Sequence, residues 1–348
     1  PRPRDITIDS KRIENILSAA HAEGRLNLYE NECYEVQEAI GAQAAPASRL
    51  IPIGSHPTPG DLESLTGDLV VLKVISADIT HKTEAKGVRI VAREIGAVEA
   101  AFELMKREVP EAFASYLESH EGEVPAELAG RRGRGLEQRL FDRIEGILLS
   151  SFVTADSQGF ATELFVGIRS TEEFGPVISA GLGGVEMEIL AHATRKGAAV
   201  AIAPTGMIDG EQFLELFKST LSYERLSGAM RGSRRLVDDH TLANCFQAFI
   251  DLANTFSVIN PDAKYFLDEV EVNPYVASGG KLAPLDGVCR FRPAVPLRQD
   301  RPVNKLGSLL EPKSAAIIGV SPSGNNMGRI ILGNMLQGGF EKENLRVV

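Results

Sequence analysis

Cysteine is scarce in this chain. Its 348 residues include three cysteines, Cys33, Cys245 and Cys289, which are widely spaced and odd in number. A disulfide framework needs paired thiols, and a zinc cluster needs several ligands at short spacing. The sequence therefore predicts neither, and we expect reduced thiols in a cytoplasmic protein.

Long apolar runs and an excess of basic residues are also absent. No apolar stretch approaches the roughly 20 residues of a membrane span, and the start, PRPRDITIDS, lacks the apolar core of a signal peptide. The net charge of -10 disfavours a nucleic-acid partner, because such a surface repels phosphate backbones. We therefore expect no membrane and no nucleic acid as partners. The chain begins with Pro1 instead of Met, and we expect it to be a trimmed form.

Hydrophobic residues make up 43% of the chain, enough for the cores of two or three globular domains. Apolar periodicity and turn residues predict an α/β fold with α+β character. Ser10 is the predicted N-cap of the first helix. The predicted helices are Ser10 to Glu23, Glu30 to Ile40, Arg93 to Glu108, Gly210 to Leu221 and Asp238 to Phe256. The predicted strands are Ser48 to Ile53, Leu69 to Ile75, Val88 to Val91, Gly146 to Val153, Glu163 to Ile168 and Val177 to Ala180, with a hairpin of Tyr265 to Asn273 and Lys281 to Leu285 joined by ASGG.

Two stretches interrupt this alternation. Glu111 to Arg139 is polar and contains RRGRG, so we interpret it as a surface insertion, with a solvated loop favoured over a binding patch. Residues 293–308 have the polar, proline-containing composition of an interdomain linker. Beyond it, residues 309–348 predict a strand, a glycine turn, a helix and the start of a second strand. A parallel sheet needs more than one such unit, so we expect this piece to open a larger domain.

The stretch Val70 to Gly87, VVLKVISADITHKTEAKG, holds the first candidate site residues. Lys73 ends an apolar strand, from which its ammonium can reach phosphate groups. His81 follows in a polar loop, and a neutral imidazole can attack a phosphoryl group. A solvated strand-end lysine and an exposed loop histidine are the alternatives that these residues leave open.

Two further patterns suggest phosphate and metal chemistry. Gly181-Leu182-Gly183-Gly184 follows a strand, so its amides can approach a phosphate, or it is only a tight turn. Glu269, Glu271 and Asn273 share one face of a strand, with Asp286 across the hairpin. Glu271, Asn273 and Asp286 offer the oxygen ligands that Mg²⁺ prefers, although a plain exposed hairpin face has the same pattern.

Taken in order, these motifs resemble the ADP-forming acyl-CoA synthetases, whose nucleotide-binding part is an ATP-grasp fold related to the succinyl-CoA synthetase β subunit. The resemblance covers nearly the whole chain. Its most specific parts are LKVISADITHKTEAKGV, ELFVGIRSTEEFGPVISAGLGGVEMEIL, VEVNP with LDG, and LLEPKSAAIIGVS. It implies an ATP-grasp domain of two α+β subdomains over residues 10–292. A partial Rossmann-like CoA-binding domain would follow it.

The resemblance also implies site residues and ligands. Lys73 would contact the phosphates of ATP, Glu271, Asn273 and Asp286 would hold Mg²⁺, and His81 would carry phosphate between the ATP and acyl-CoA sites. In the reversible reaction, a carboxylic acid, CoA and ATP give acyl-CoA, ADP and phosphate through an acyl phosphate and a phosphohistidine. The remaining implied positions are Gly181, Gly183, Gly184, Glu163 and Glu188 for ATP, and Gly319, Ser321 and Gly328 for weak CoA binding.

The sequence departs from the family pattern in three places. Lys86-Gly87 replaces a pair of glycines, Ser150-Ser151 replaces Gln-Glu where adenine recognition is expected, and the insertion is long. These departures leave open a regulatory module that binds nucleotide without turnover. A stand-alone ATP-grasp ligase is a third alternative, which the CoA-type turn disfavours. We expect the ligase domain and the rest of the CoA-binding domain to lie outside this chain, and a homo-oligomer stays open.

Overall fold

The computed structural model describes residues 8–41, 45–76, 79, 82, 85–120, 133–157, 162–184, 199–230, 232–295 and 303–348. The chain divides into two compact units, Pro1–Val295 and Pro296–Val348. This division lies within the linker predicted for residues 293–308. The domain boundaries themselves stay predictions.

The first unit begins with two helices, α1 (Ser10–Ala22) and α2 (Glu30–Ala39). The side chain of Asp9 caps α1 by accepting the amide of Arg12, so the expectation that Ser10 is the cap is wrong by one residue. The predicted end of α2 is confirmed. Gly41 follows the helix with a φ of 66°, a conformation that glycine adopts without strain.

A four-stranded antiparallel sheet follows, made of β1 (Ser48–Pro52), β2 (Leu69–Ser76), β3 (Val88–Ala92) and β4 (Ile144–Ser151). Its order is β1-β4-β2-β3. Because side chains alternate along a strand, Val70, Leu72 and Val74 of β2 enter the apolar core, while Lys73 faces the other side.

Two helices cover the core side of this sheet, α3 (Ile95–Ser119) and α4 (Arg134–Phe141). The predicted end of α3 at Glu108 is wrong, because the helix continues through Pro110. Phe113 and Leu117 are buried, so the apolar periodicity also continues. The surface insertion predicted from Glu111 therefore begins as a packed helix, and residues 121–132 of it lie outside the described part of the chain.

A second, six-stranded antiparallel sheet forms the rest of the first unit. Its main order is β10-β8-β5-β6-β7, and β9 pairs with β8. The strands are β5 (Glu163–Thr171), β6 (Gly175–Leu182), β7 (Val200–Pro204), β8 (Tyr265–Ser278), β9 (Lys281–Pro284) and β10 (Gly287–Pro293). The hairpin turn is at Gly279-Gly280, as the ASGG motif predicts. The sequence did not predict β7 or β10.

Three helices pack with this sheet, α5 (Gly210–Phe217), α6 (Leu221–Leu226) and α7 (Asp239–Thr255). The single helix predicted for Gly210 to Leu221 is wrong, because the first segment ends at Phe217 and Thr220 caps the next by accepting the amide of Tyr223. The apolar core includes residues of these helices, of α1 and α2, and of the sheet.

The second unit contains α8 (Leu306–Leu310), β11 (Ala315–Ile317), α9 (Met327–Gln337) and β12 (Leu345–Val347). The two strands pair in parallel, so the predicted strand, turn, helix and second strand are confirmed. The helix α8 lies partly inside the predicted linker.

Short 3₁₀ helices occupy Pro59–Leu62, Thr205–Met207, Val303–Lys305 and Lys342–Asn344. None of the helices within the described ranges is long and apolar enough to cross a membrane.

Candidate active site

Lys73 is buried, and its charge is paired. Strand β2 directs the side chain toward the start of α2, where the ammonium lies 2.6 Å from Glu30 Oε1. The same ammonium donates to the hydroxyl oxygen of Tyr34 at 3.2 Å and to the carbonyl oxygen of Leu285. The solvated strand-end lysine that the sequence left open is therefore excluded. Lys73 is the centre of a polar cluster that joins both sheets.

Glu30 is the anion of this cluster. Its side chain is 1% exposed and has two cationic partners, because Lys82 donates to Oε2 while Lys73 binds Oε1. Burial alone acts to raise the pKa of Glu30, but the charges of Lys82 and Lys73 outweigh it and lower the pKa to about 2. Glu30 is therefore a permanent negative charge at neutral pH.

Lys82 extends the cluster to Asp286. Its ammonium lies 3.2 Å from Asp286 Oδ1, and the Asp286 side chain is 41% exposed. Burial acts to lower the pKa of Lys82, but the charges of Glu30 and Asp286 raise it. The pKa of Asp286 is raised, chiefly by removal from water and then by the charge of Glu30, while Lys82 opposes both effects. We call Lys73, Lys82, Glu30, Tyr34 and Asp286 the lysine–carboxylate cluster.

The three predicted magnesium ligands lie together. The backbone amide of Asn273 donates to the carbonyl oxygen of Asp286 at 3.3 Å, and the side-chain amide of Asn273 donates to Glu271 Oε1 at 3.2 Å. Burial is the main cause of a raised pKa at Glu271, with smaller contributions from the charges of Glu269 and then Asp286. Two carboxylates and an amide oxygen are hard ligands that fit Mg²⁺. Among the described residues, however, no group of three acidic, histidine or cysteine side chains is arranged to hold a metal.

The glycine motif meets this trio at one residue. The backbone amide of Gly184 donates to Asn273 Oδ1 at 2.8 Å, and Gly184 has a φ of 68°. A Cβ on Gly184 would lie 1.9 Å from Glu163 Oε2, so the carboxylate of Glu163 covers the glycine. The structure thus brings Glu163, Gly184 and Asn273 together.

Gly181 and Gly183 lie where the backbone packs closely, while their predicted contact with ATP stays a prediction. Gly181 lies inside β6, where a Cβ would meet the carbonyl oxygen of Ala199 at 2.5 Å. A Cβ on Gly183 would meet the backbone of Leu164 at 2.9 Å. Close packing of neighbouring strands therefore explains both glycines. Glu188 and His81, by contrast, lie outside the described residues.

A cavity of about 520 Å³ adjoins the lysine–carboxylate cluster. Glu30, Lys82 and Asp286 line it together with apolar residues that include Leu28 and Val288. On the sheet face that bears Lys73, the neighbouring strand β3 presents Val88 and Ile90, of which Ile90 is 54% exposed. An accessible apolar face beside paired cations can accept a ligand with a flat apolar part and an anionic part.

Two departures from the family pattern have structural explanations. Ser151 accepts the amide of Thr66 at 2.9 Å and lines a second cavity, of about 450 Å³, with Phe152. Lys86 has a φ of 55°, a left-handed conformation that favours glycine. The lysine therefore adopts the backbone geometry that a glycine at this position would provide.

The predicted CoA-type turn is compact. Gly319 has a φ of 83°, and a Cβ on Gly328 would lie 2.8 Å from its carbonyl oxygen. The amide of Ser321 donates to Asn326 Oδ1 at 3.3 Å, and the same oxygen caps α9. The structure brings Gly319, Ser321 and Gly328 together at the start of the helix, while their role in CoA binding stays a prediction.

Sequence reasoning missed Glu30, Tyr34 and Lys82 as members of the site. Glu30 and Tyr34 lie on a helix that looked like an ordinary amphipathic element. One signal was present, because these residues are one helical turn apart and therefore share a face. Lys82 was part of a recognised motif but was given no role.

Two antiparallel sheets with packed helices, meeting at a cluster of lysines and carboxylates, place this chain among the α+β proteins. The family model described as an ATP-grasp domain matches residues 19–121 and 119–290. The chain therefore belongs to the ATP-grasp domain family. The predicted fold class is confirmed.

The curated relatives include ADP-forming CoA ligases, so the resemblance inferred from the motifs is confirmed. Acetate–CoA ligase [ADP-forming] I of Archaeoglobus fulgidus is 27% identical over 270 residues, which are 78% of this chain and 32% of that protein. The β subunit of acetate–CoA ligase [ADP-forming] I of Pyrococcus furiosus is 26% identical over 273 residues, 76% of this chain and 92% of that subunit. The chain thus spans about a third of the length of the first of these relatives.

Solved structures share the fold. Acetyl-coenzyme A synthetase 1 of Ca. Korarchaeum cryptofilum superposes with a TM-score of 0.56 at 21% identity, over 80% of this chain and 99% of that one. At this level of identity the similarity concerns the fold alone.

Proposed function

We propose that this chain is the nucleotide-binding part of an ADP-forming acyl-CoA synthetase. The complete enzyme would convert a carboxylic acid, CoA and ATP reversibly into acyl-CoA, ADP and phosphate. The observation that carries the proposal is the lysine–carboxylate cluster at the edge of a cavity where both sheets of an ATP-grasp fold contribute. The named relatives, which are ADP-forming ligases, support the reaction class.

The two lysines of the cluster would bind the phosphates of ATP. Lys73 is held by a strand and by Glu30, so its ammonium has a defined position before the ligand arrives. A triphosphate carries more negative charge than the carboxylate it would compete with, and phosphate oxygens accept charge-assisted hydrogen bonds from lysine. The cluster would therefore exchange part of its internal pairing for ligand phosphates.

Glu271, Asn273 and Asp286 would hold Mg²⁺. The metal, when bound, would neutralise phosphate charge and orient the γ-phosphate. Glu163 and the amide of Gly184 adjoin Asn273 and would hold its side chain in place. One solved structure of the Korarchaeum enzyme contains Mg-AMPPCP, with a phosphohistidine segment that points towards the nucleotide site. By analogy, we propose His81 as the phosphate carrier of this chain.

The acid substrate, CoA binding by the turn at Gly319 and the oligomeric state belong to the complete protein. We propose a carboxylic acid and CoA as the further substrates. The three cysteines of the chain are free and buried, which supports the proposed reducing, cytoplasmic location.

Replacing Lys73 by Met tests the phosphate role. The substitution keeps an unbranched apolar side chain and removes the charge, so the affinity for Mg·ATP, measured by calorimetry, should fall more than about tenfold, or about 1.4 kcal/mol. Lys218→Met is the matched control, because Lys218 pairs with Glu215 at the same 2.6 Å but lies on α5's C-terminal end. Equal affinities for the two variants would remove Lys73 from the site.

Replacing His81 by Ala in the full-length enzyme separates turnover from binding. We expect acid activation to be abolished while the affinity for Mg·ATP stays near that of the wild type, since the imidazole transfers phosphate and the lysines bind it. A wild-type rate in this variant would instead favour a regulatory module that binds nucleotide by the same cluster.

A further inference from the structure

Lys82 contacts one of the proposed metal ligands directly. Its ammonium lies 3.2 Å from Asp286 Oδ1, and the same oxygen accepts the amide of Gly287 at 2.8 Å. The ammonium also donates to Glu30 Oε2. The contact with Asp286 places the positive charge of Lys82 at the carboxylate that would receive Mg²⁺.

A divalent cation at Asp286 would face this ammonium at close range. Two cations repel each other strongly at such a distance in a partly buried site. The Lys82 side chain is 18% exposed, so little solvent screens the repulsion. The metal therefore has to displace Lys82 from Asp286 before it binds.

When Lys82 leaves Asp286, the other ion pairs of the cluster stay in place. Glu30 keeps Lys73, whose ammonium also contacts the hydroxyl of Tyr34. Lys82 keeps Glu30 but loses Asp286, so one carboxylate is left to balance two ammonium groups and a further anion is needed nearby. A triphosphate supplies that anion, whereas free metal supplies none, so the exchange is favourable only when metal and triphosphate arrive together.

We propose that Lys82 is an internal counter-ion of Asp286 that makes the site select the metal–triphosphate complex over the free divalent cation. This rests on the proposed function, because it takes Asp286 as a metal ligand and a nucleoside triphosphate as the source of phosphate. Lys82 is thus a specificity-determining residue, which favours binding of the metal as its triphosphate complex over binding of the free cation.

Binding of free Mn²⁺ without nucleotide, followed by electron paramagnetic resonance, tests this assignment. Lys82→Gln should bind Mn²⁺ at least about tenfold more tightly than the wild type, or about 1.4 kcal/mol. Lys82→Arg keeps the charge and should bind as weakly as the wild type. Lys86→Gln is the matched control, since this exposed lysine in the same loop has the same charge change, and its effect should stay within about twofold.

Two results separate this proposal from the proposed function. The affinity gain of Lys82→Gln should vanish in an Asp286→Asn background, because the competition takes place at that carboxylate. If Lys82→Gln binds free Mn²⁺ no more tightly than the wild type, while the wild type binds Mn²⁺ with a non-hydrolysable ATP analogue, the counter-ion role is wrong and the proposed function stands. A wild type that fails to bind the complex overturns both.

The wild-type protein provides a second measurement, which does not depend on the folding of a variant. Reductive methylation of Lys82, quantified by mass spectrometry, should become faster at saturating Mn²⁺, because the metal frees the ammonium from Asp286. The methylation rate of Lys86 serves as the internal reference. An unchanged ratio of the two rates would overturn the proposal.

Discussion

The buried carboxylate of Glu30 is the residue on which the geometry of the site depends. A buried charge is costly unless it is paired and hydrogen-bonded, and here two ammonium groups and the hydroxyl of Tyr34 surround it. Tyr34 lies 2.6 Å from Glu30 Oε1. Both lysines are therefore held inside the site by the same group, and a change at Glu30 alters stability and ligand binding together.

Glu30→Gln should destabilise the protein most at neutral pH. The pKa of Glu30 is lowered to about 2 in the folded state, below its ordinary value, so the charged form stabilises the fold above the unfolded pKa. This stabilisation, on the order of 3 kcal/mol from the linkage relation, is lost as the pH falls toward the folded pKa. Urea unfolding should show a larger gap between wild type and variant at pH 7 than at pH 3.

Glu38→Gln is the control on the same helix, because Glu38 pairs with Arg12 at the surface with about half of its side chain exposed. Its effect should be within about 1 kcal/mol at neutral pH. A gap between wild type and Glu30→Gln that is constant across the pH range would contradict the role of the ionised carboxylate.

Family motifs singled out Lys73, Glu271, Asn273 and Asp286, and the structure brings these residues together, while their roles stay predictions. Glu30 escaped prediction because the contact with Lys73 spans 43 positions in the sequence. The contact of Lys82 with Asp286 spans 204. Local sequence patterns carry no information about which residues pair across such distances. A family motif can identify a residue of the site, but it does not show which distant residue that side chain contacts.

At the scale of elements, alternation along the strands predicted most of the two sheets. The edge strand β7 escaped because it is rich in alanine, which has a low strand propensity. Strand β10 escaped because its arginines, the exposed Arg290 and the partly buried Arg292, resemble a polar linker, although Cys289 and Phe291, which alternate with them, are buried. The antiparallel order of both sheets follows from pairings between distant segments, which periodicity does not determine.

Gly184, which follows the end of β6, tests whether the backbone there positions the side chains of the proposed metal site. Gly184→Ala should destabilise the fold by about 1 kcal/mol, the cost of a left-handed conformation with a Cβ. It should also weaken Mg·ATP binding, because the added Cβ displaces the carboxylate of Glu163 beside Asn273. Urea unfolding and calorimetry measure the two effects separately.

Gly175→Ala is the matched control. Gly175 has a φ of 69°, close to that of Gly184, but a Cβ there would meet nothing within 4 Å. It should cause a similar loss of stability and leave Mg·ATP binding unchanged. Equal losses of affinity in both variants would show that backbone strain alone accounts for the effect.

At the scale of the whole molecule, the buried apolar residues around the two large sheets form three clusters. Every residue of these clusters precedes position 295. The division of the chain follows Val295. Composition predicted a linker in this region, because a run of polar residues and prolines cannot form a packed core. Composition gave no information on how β11 and β12 pair.

A fragment of residues 8–295 should therefore retain the properties of the first unit. We expect its urea unfolding free energy to stay within about 0.5 kcal/mol of the corresponding transition of the complete chain, since it keeps these clusters intact. Its affinity for Mg·ATP should also be unchanged. A fragment that aggregates or unfolds at markedly lower urea would show that the second unit stabilises the first.

The lysine–carboxylate cluster draws its members from α2, from β2 and the segment that follows it, and from the turn before β10. A chain in which either sheet has failed to form offers these lysines no carboxylate and a nucleotide no binding site. Ligand affinity is then a direct gauge of the native population. By mass action, saturating nucleotide stabilises only the state in which both sheets have formed.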